Sequence, residues 1–356
     1  MLADQGAQVI VIRATKKGGQ KQMYLSRGKT VINLNLKKDR DRAFLVQDVI
    51  PHIDVILESY RPGVMENLGL APEIIHDANH KLVYARMSGY GQFESKYRDL
   101  AGHDINYLAL TGVLNRFKRV AKNSTPAIPG NIVADFASAS LYSFNLILQA
   151  LYVRKPHTVL DCSITHSTAY LSQLEILETI KVTNRDRSKN KNSALLTSFA
   201  RPHESVYRDQ DGVCFVLKPG TKIHDDAKLQ HYSPDESSES HKHQDLYQLV
   251  FEKMTVKDIV QKYGPVEIVE SLENVATQYA NKENGLVVKD SEQSFQIMNV
   301  FENNFKTYNQ TSQESIDGWK KLEEIGVLSE KIQKFQELKI SHKKQKAEKS
   351  DFKHKL

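Results

Sequence analysis

The sequence predicts an α/β fold on a mostly parallel sheet, joined to a smaller α+β domain, and three observations carry that reading. Short apolar runs alternate with helical patterns through the first half of the chain. The first of those runs, Val9-Ile10-Val11-Ile12, is apolar throughout, as expected of a strand covered on both faces. Near residue 185 the alternation stops and the composition turns polar.

The elements follow in order. Leu2 to Ala7 reads as the end of a helix feeding the first strand. Val31 to Leu36 alternates apolar and polar residues, which suits a half-exposed strand. Asp54 to Glu58, Leu82 to Arg86 and Thr158 to Cys162 repeat the strand signal. Helices are expected at about 39–50, 71–78 and 136–153, the second opened by Pro72 in its first turn. Strands and helices in this alternation make βαβ units. Beyond residues 186–193 the smaller domain is expected to hold a strand at Gly212 to Leu217 and one amphipathic helix from Leu246 to Tyr263. The last segment, from Lys320, is helical in pattern and ends in a lysine-rich tail. The expected division is 1–190, 191–300 and 301–356, the last segment returning to the large domain.

Composition narrows the function. With 356 residues, 40% hydrophobic, the chain can bury a substantial core. Its cysteines are Cys162 and Cys214, too few for a disulfide framework, and no CxxC pair suggests a metal. The net charge of +6 suits a phosphate-rich ligand, and no nucleic-acid-binding motif accompanies it, so no nucleic-acid partner is expected. Leu141 to Val153 is the longest apolar stretch, but Ser143, Asn145 and Gln149 interrupt it. It reads as a buried helix, and no membrane partner is expected. No secretory signal is expected, because no basic stretch precedes an apolar run after Met1.

Two polar clusters carry chemistry. The first is Gly102-His103-Asp104-Ile105-Asn106-Tyr107, placed at the start of a helix. Gly102 permits close backbone approach, and the imidazole of His103 can act as acid or base. The same residues also fit a capped helix with a satisfied histidine. The second cluster runs from Asn131 to Ser140, where Asp135 stands between an apolar, strand-like stretch and small residues that open a helix. A carboxylate is favoured there by the helix dipole, and a plain helix cap is the competing reading.

These clusters, with their flanks, resemble the class III CoA-transferase family, and within it the α-methylacyl-CoA racemases. The residues that carry the resemblance are Gly102 to Tyr107, Ala134-Asp135-Phe136, Ser26 to Lys29, Asp54 to Met65 and Leu82 to Gln92. The similarity is strong from Leu2 to about Leu171 and weaker through Val266 to Glu273 and Leu322 to Gly326. It implies a Rossmann-like parallel-sheet large domain from which the family's N-terminal strand is missing. It implies coenzyme A as part of the substrate, no further cofactor, no metal and an interlocked homodimer.

The implied reaction is α-proton transfer on a 2-methyl-branched acyl-CoA, with His103 and Asp135 as the two acid/base groups. Asp104 would belong to the oxyanion environment, and Asn131 and Tyr107 would orient the acids. Gly102, Ile105 and Asn106 complete that stretch. The nucleotide and pantetheine would lie along Leu34, Asn35, Leu36, Lys37, Ser59, Tyr60 and Arg61, with Lys37, Arg61 and Arg13 near the phosphates. A CoA-transferase of the same family and a catalytically inactive scaffold remain open beside the racemase. The small domain departs from the family pattern, reading Leu195-Leu196-Thr197-Ser198 and Lys218-Pro219-Gly220-Thr221-Lys222 where a glycine-rich stretch and a glutamate are usual. The ending His354-Lys355-Leu356 approximates a peroxisomal address, and the family adds the mitochondrion as an expected compartment.

Overall fold

The computed structural model describes residues 1–14, 28–117, 125–184, 205–223, 240–274, 287–291, 294–297 and 318–337. The terminal His354-Lys355-Leu356, the stretch 195–198 and Ser26-Arg27 lie outside the described residues. The chain divides into two compact units: 1–108, 130–168 and 299–356 form the first, and 109–129 with 169–298 the second.

The first unit is α/β. Strands β1 (Val9–Arg13) and β2 (Lys29–Asn33) pair in parallel. A second parallel sheet has the order β3 (Val55–Glu58), β4 (Val83–Ser88), β5 (Val159–Ser163). A 3-10 turn, Ala3–Gln5, precedes β1 and is ended by Gly6 at φ 88°, a left-handed conformation open to glycine. β2 stops at Asn33 rather than continuing to Leu36. Asp41, fully buried in α1 (Asp39–Phe44), accepts from the Asn35 backbone N–H at 2.7 Å and turns the chain into that helix. The helix then widens into a π turn at Leu45–Val49 and tightens at Ile50–His52, where Pro51 lacks the donor to continue.

Apolar side chains from β2, α1, the helix Gly318–Glu324 and the helical residues 329–337 form one core. Ile32, Leu34, Phe44, Leu70, Tyr84, Leu322 and Phe335 are all buried in it. Phe44 stacks on Phe335 with ring centroids 4.3 Å apart. Burial on this scale contributes about 1.5–3 kcal/mol per large side chain.

The helix expected at 136–153 starts earlier. Ile132–Ser140 is π-helical and runs into α5 (Leu141–Val153), so the stretch before Asp135 is helix, not strand. Hydroxyls stabilise the wide turns: Ser138 Oγ donates to the Val133 carbonyl at 2.7 Å and Ser140 Oγ to the Asp135 carbonyl at 2.8 Å. Nor is α5 a buried helix. Ser143, Ile147 and Ala150 are buried, while Leu141, Leu148, Tyr152 and Val153 stand exposed. One flank packs on the β3–β4–β5 sheet through Ile147, Ala85 and Cys162, and nothing in this chain's described residues covers the other. The joined helix, Ile132–Val153, spans 22 residues and is long and apolar enough to cross a membrane by length and composition.

The second unit contains an antiparallel sheet of β6 (Val206–Arg208), β7 (Cys214–Leu217) and β8 (Val266–Ile268). The single helix expected at Leu246 to Tyr263 is two helices, Ser240–Phe251 and Val256–Tyr263. The break comes from Thr255. Its hydroxyl accepts from the Asp258 N–H, and Asp258 returns a bond to the Thr255 backbone, a capping box that starts a new helix.

Candidate active site

Parallel sheets of this kind receive ligands at the carboxyl ends of their strands. Several of the residues singled out in the sequence follow strand ends, whereas Asn131 and Asp135 lie at the start of the π-helical segment. Arg13 ends β1, and Leu34 to Lys37 follow β2. Ser59, Tyr60 and Arg61 follow β3 and are exposed. The Gly102 to Tyr107 cluster comes off the loop after β4.

Not every one of these side chains reaches a surface. Leu34 is 1% exposed and belongs to the core, which leaves only its backbone for a ligand. Asn35 is occupied locally, its Oδ1 accepting from the Lys37 N–H at 3.1 Å. Leu36 packs partly against the core, whereas Lys37 is exposed.

Around His103 the geometry is tighter. His103 is exposed at the threshold of α4 (Asp104–Leu110), and its N–H donates to Asn106 Oδ1 at 2.9 Å. Asn106 therefore caps its own helix. Asp104 is buried, 5% exposed, and points across to the π-helical segment. Its Oδ2 accepts from the backbone N–H groups of Ala134 at 2.8 Å and Asp135 at 2.9 Å. Those are donors that a helix start leaves without an internal partner. The cap of the Asp135 helix thus comes from the His103 segment. Asn131, exposed at the N-cap position, supplies no side-chain cap.

That bond places the two candidate acid/base groups in one electrostatic environment. Burial, then the charge of Asp104, raises the Asp135 carboxyl above its usual range, while His103 pulls it the other way. Tyr107 is buried beside them, its phenol pushed up to about 12 by burial and by the neighbouring Tyr90 and Asp135. It stays protonated at any working pH.

Close backbone approach at Gly102 serves this tyrosine. A Cβ on Gly102 would lie 2.7 Å from Tyr107 Cε1, and one on Gly89 would lie 2.5 Å from its Oη. Tyr90 meets the same ring edge-on at 5.2 Å. Gly89, missed as a site residue in the sequence, could have been flagged by its place in Ser88-Gly89-Tyr90-Gly91, directly after a strand. Gly89 also receives two bonds at its carbonyl, from the Thr165 N–H at 3.0 Å and the Thr165 hydroxyl at 2.8 Å. No cluster of metal-ligating side chains occurs among the described residues.

Comparison with known proteins decides the family: residues 1–314 match the model of CoA-transferase family III. The chain belongs to CoA-transferase family III. Among its relatives, human alpha-methylacyl-CoA racemase is 40% identical over 216 residues, 60% of this chain and 54% of that protein. A CaiB/BaiF CoA-transferase family protein of Caenorhabditis elegans is 43% identical over 177 residues, 48% of this chain and 50% of its own length. Succinyl-CoA–D-citramalate CoA-transferase of Chloroflexus aurantiacus is 29% identical over 61% of this chain and 56% of that enzyme. The chain thus spans about half the length of the curated relatives it matches. Among solved structures, a hypothetical protein of Mycobacterium tuberculosis superposes with a TM-score of 0.61 at 19% identity, covering 89% of each chain. A CaiB/BaiF family protein of Brucella suis gives 0.60 at 17% identity, covering 81% of this chain and 83% of that one. Family III membership and the α/β fold therefore agree.

Proposed function

We propose that the chain interconverts the (2R) and (2S) forms of 2-methyl-branched acyl-CoA thioesters by two-base proton transfer. The observation that carries the reading is the pairing of an exposed imidazole, His103, with a carboxyl, Asp135, whose proton affinity is raised by burial and by Asp104. Two-base racemisation needs one group that accepts a proton and one that donates it, and a carboxyl of raised proton affinity in the field of a histidine suits that division. The racemase relatives at about 40% identity support the same reading.

In the proposed step His103 takes the α-proton, and the C–H electron pair moves onto the thioester oxygen as an enolate. Protonated Asp135 then delivers its proton to the opposite face of the α-carbon. The enzyme is left with His103 protonated and Asp135 ionised, the starting state for the reverse direction. Lys37, Arg61 and Arg13 are the basic residues assigned to the phosphates, and no redox or metal step enters this sequence.

A second reading is CoA transfer to a free acid, with Asp135 as the nucleophile. CoA-transferases among the relatives favour it, including that of Chloroflexus aurantiacus. Incubation with a 2-methylacyl-CoA in deuterated water, with CoA exchange to a free acid followed in parallel, separates the two. α-Deuterium uptake into the enantiomer that His103 deprotonates should drop about 10²–10⁴-fold in His103→Ala, which supports the racemase. Interconversion of the two enantiomers that persists in that variant would falsify the two-base assignment, and transfer without uptake would establish the second reading.

A further inference from the structure

We infer that Arg86 is a positioning residue that fixes the loop 59–63 for the nucleotide end of coenzyme A. The inference rests on the proposed assignment of Ser59, Tyr60 and Arg61 to that ligand.

Glu58, the last residue of β3, and Arg86 on β4 are partners in the parallel register. Their side chains lie on the same face at the end of the sheet, and both residues are buried, 5% and 6% exposed. Arg86 Nε donates to Glu58 Oε1 at 2.9 Å. The other oxygen, Glu58 Oε2, accepts from the Tyr60 backbone N–H at 2.7 Å, which holds the start of the loop. The rest of the guanidinium turns to the far side. Its two terminal nitrogens donate to Glu66 Oε1 at 2.6 Å and Oε2 at 3.1 Å, and Glu66 belongs to α2 (Val64–Asn67), directly after the loop. Arg86 also lies over the Tyr84 ring, 5.7 Å from its centroid, while the Tyr84 hydroxyl donates to the Leu70 carbonyl at 2.8 Å.

One planar cation therefore holds both ends of the same loop. Between the ends, Pro62 has a fixed φ, and Gly63 sits at φ 84°, a conformation that glycine adopts without strain. The exposed side chains of Ser59, Tyr60 and Arg61 project from this framed loop. Stability alone is a poor explanation for the network, because a buried ion pair contributes little compared with well-packed apolar residues. Its fork geometry is specific, since lysine cannot meet Glu58 and both oxygens of Glu66 at once.

Calorimetric titration with coenzyme A and with pantetheine, which lacks the nucleotide, tests the assignment. The protein is compared with Arg86→Lys, Glu66→Gln and Arg61→Ala. Arg86→Lys is expected to weaken coenzyme A binding about tenfold, the scale of one charge-assisted hydrogen bond, and to leave pantetheine binding within about twofold. KM for the thioester should rise in step, with kcat little changed. Glu66→Gln, which keeps the Glu58 pair, should show a smaller shift in the same direction and serves if Arg86→Lys does not fold. Unchanged coenzyme A affinity in both variants, or equal loss for both ligands, overturns the positioning role. If Arg61→Ala binds coenzyme A as the parent does, the underlying loop assignment fails instead, and the inference falls with it.

Discussion

Asp104 holds the backbone of Asp135 with one carboxylate oxygen while its charge raises the proton affinity of the Asp135 side chain. The two segments that carry the proposed acid/base pair are thus joined by a residue that belongs to neither role. Placing a negative charge at the start of the π-helical segment is favourable to the helix dipole and unfavourable to a second carboxylate. Removing Asp104 should separate those two effects.

Asp104→Ala leaves the N–H groups of Ala134 and Asp135 without their acceptor. Each hydrogen bond to a charged group contributes about 1.5–3 kcal/mol, so a loss of about 2–4 kcal/mol is expected after relaxation. Thermal unfolding should show this as a clear drop in Tm, with α-proton exchange falling alongside. Asp104→Asn keeps an acceptor oxygen and should recover part of the stability. A Tm unchanged in Asp104→Ala would mean that the two segments are held together by something else.

Asp135→Asn should move stability and activity in opposite directions. Because its carboxyl is raised in the fold, the folded chain holds more protons than the unfolded one between the ordinary carboxylate pKa and the raised value. Stability contributed by this group therefore falls as pH rises through that window, and the penalty is complete above the folded pKa. The amide removes the charge. Scanning calorimetry at pH 7 should show Tm higher by about 1–3 °C, and the gain should vanish near pH 3, where both states are protonated. Interconversion of the enantiomers should meanwhile fall by about 10² or more. A lower Tm at pH 7 would show that the ionised carboxylate supports the fold.

Space around Tyr107 is equally specific. Cβ atoms at Gly89 and Gly102 would lie within 3 Å of its ring and hydroxyl, and the ring is 5% exposed with Tyr90 against it. Gly89→Ala and Gly102→Ala are each expected to destabilise by about 1–3 kcal/mol, the usual scale of overpacking. Since the nearest atom to Gly89 is the Tyr107 hydroxyl, the double variant Gly89→Ala/Tyr107→Phe should regain part of the loss. Tyr107→Phe should not rescue Gly102→Ala to the same degree, because there the nearest atom is a ring carbon. Equal rescue at both positions would contradict this packing.

Strand positions were legible because their signal is local. Val9 to Ile12, Asp54 to Glu58 and Leu82 to Arg86 are apolar runs of strand length, and each became a parallel strand. The start of the Asp135 helix was not legible from neighbouring residues. Its cap is Asp104, 30 residues or more away in sequence, and no local pattern announces it. Gly102 could be recognised as special, but the group that approaches it, Tyr107, is fixed only by packing. Thr255-x-x-Asp258 is a capping signal, but the apolar pattern runs through it and masks the break. Glu58 and Arg86 offered a usable clue as well: opposite charges closing two apolar runs, which parallel pairing sets side by side.

The exposed flank of the α5 helix bears on the homodimer that the family resemblance implies. Leu148 is 45% exposed, Tyr152 90% and Val153 61%, and Leu141 continues the stripe. An apolar strip along one helix is expensive to leave in water, at about 25 cal/mol per Å², and a second copy of the chain would bury it. Light scattering on the purified protein should give twice the chain mass at micromolar concentration. The variant Leu148→Glu/Tyr152→Glu changes side chains that already face outward, so its Tm as a monomer need not suffer from core disruption. It should shift the mass toward the monomer and lower proton exchange if the site depends on assembly. A parent protein that scatters as a monomer, or a double variant that remains dimeric, would place the interface elsewhere or remove it.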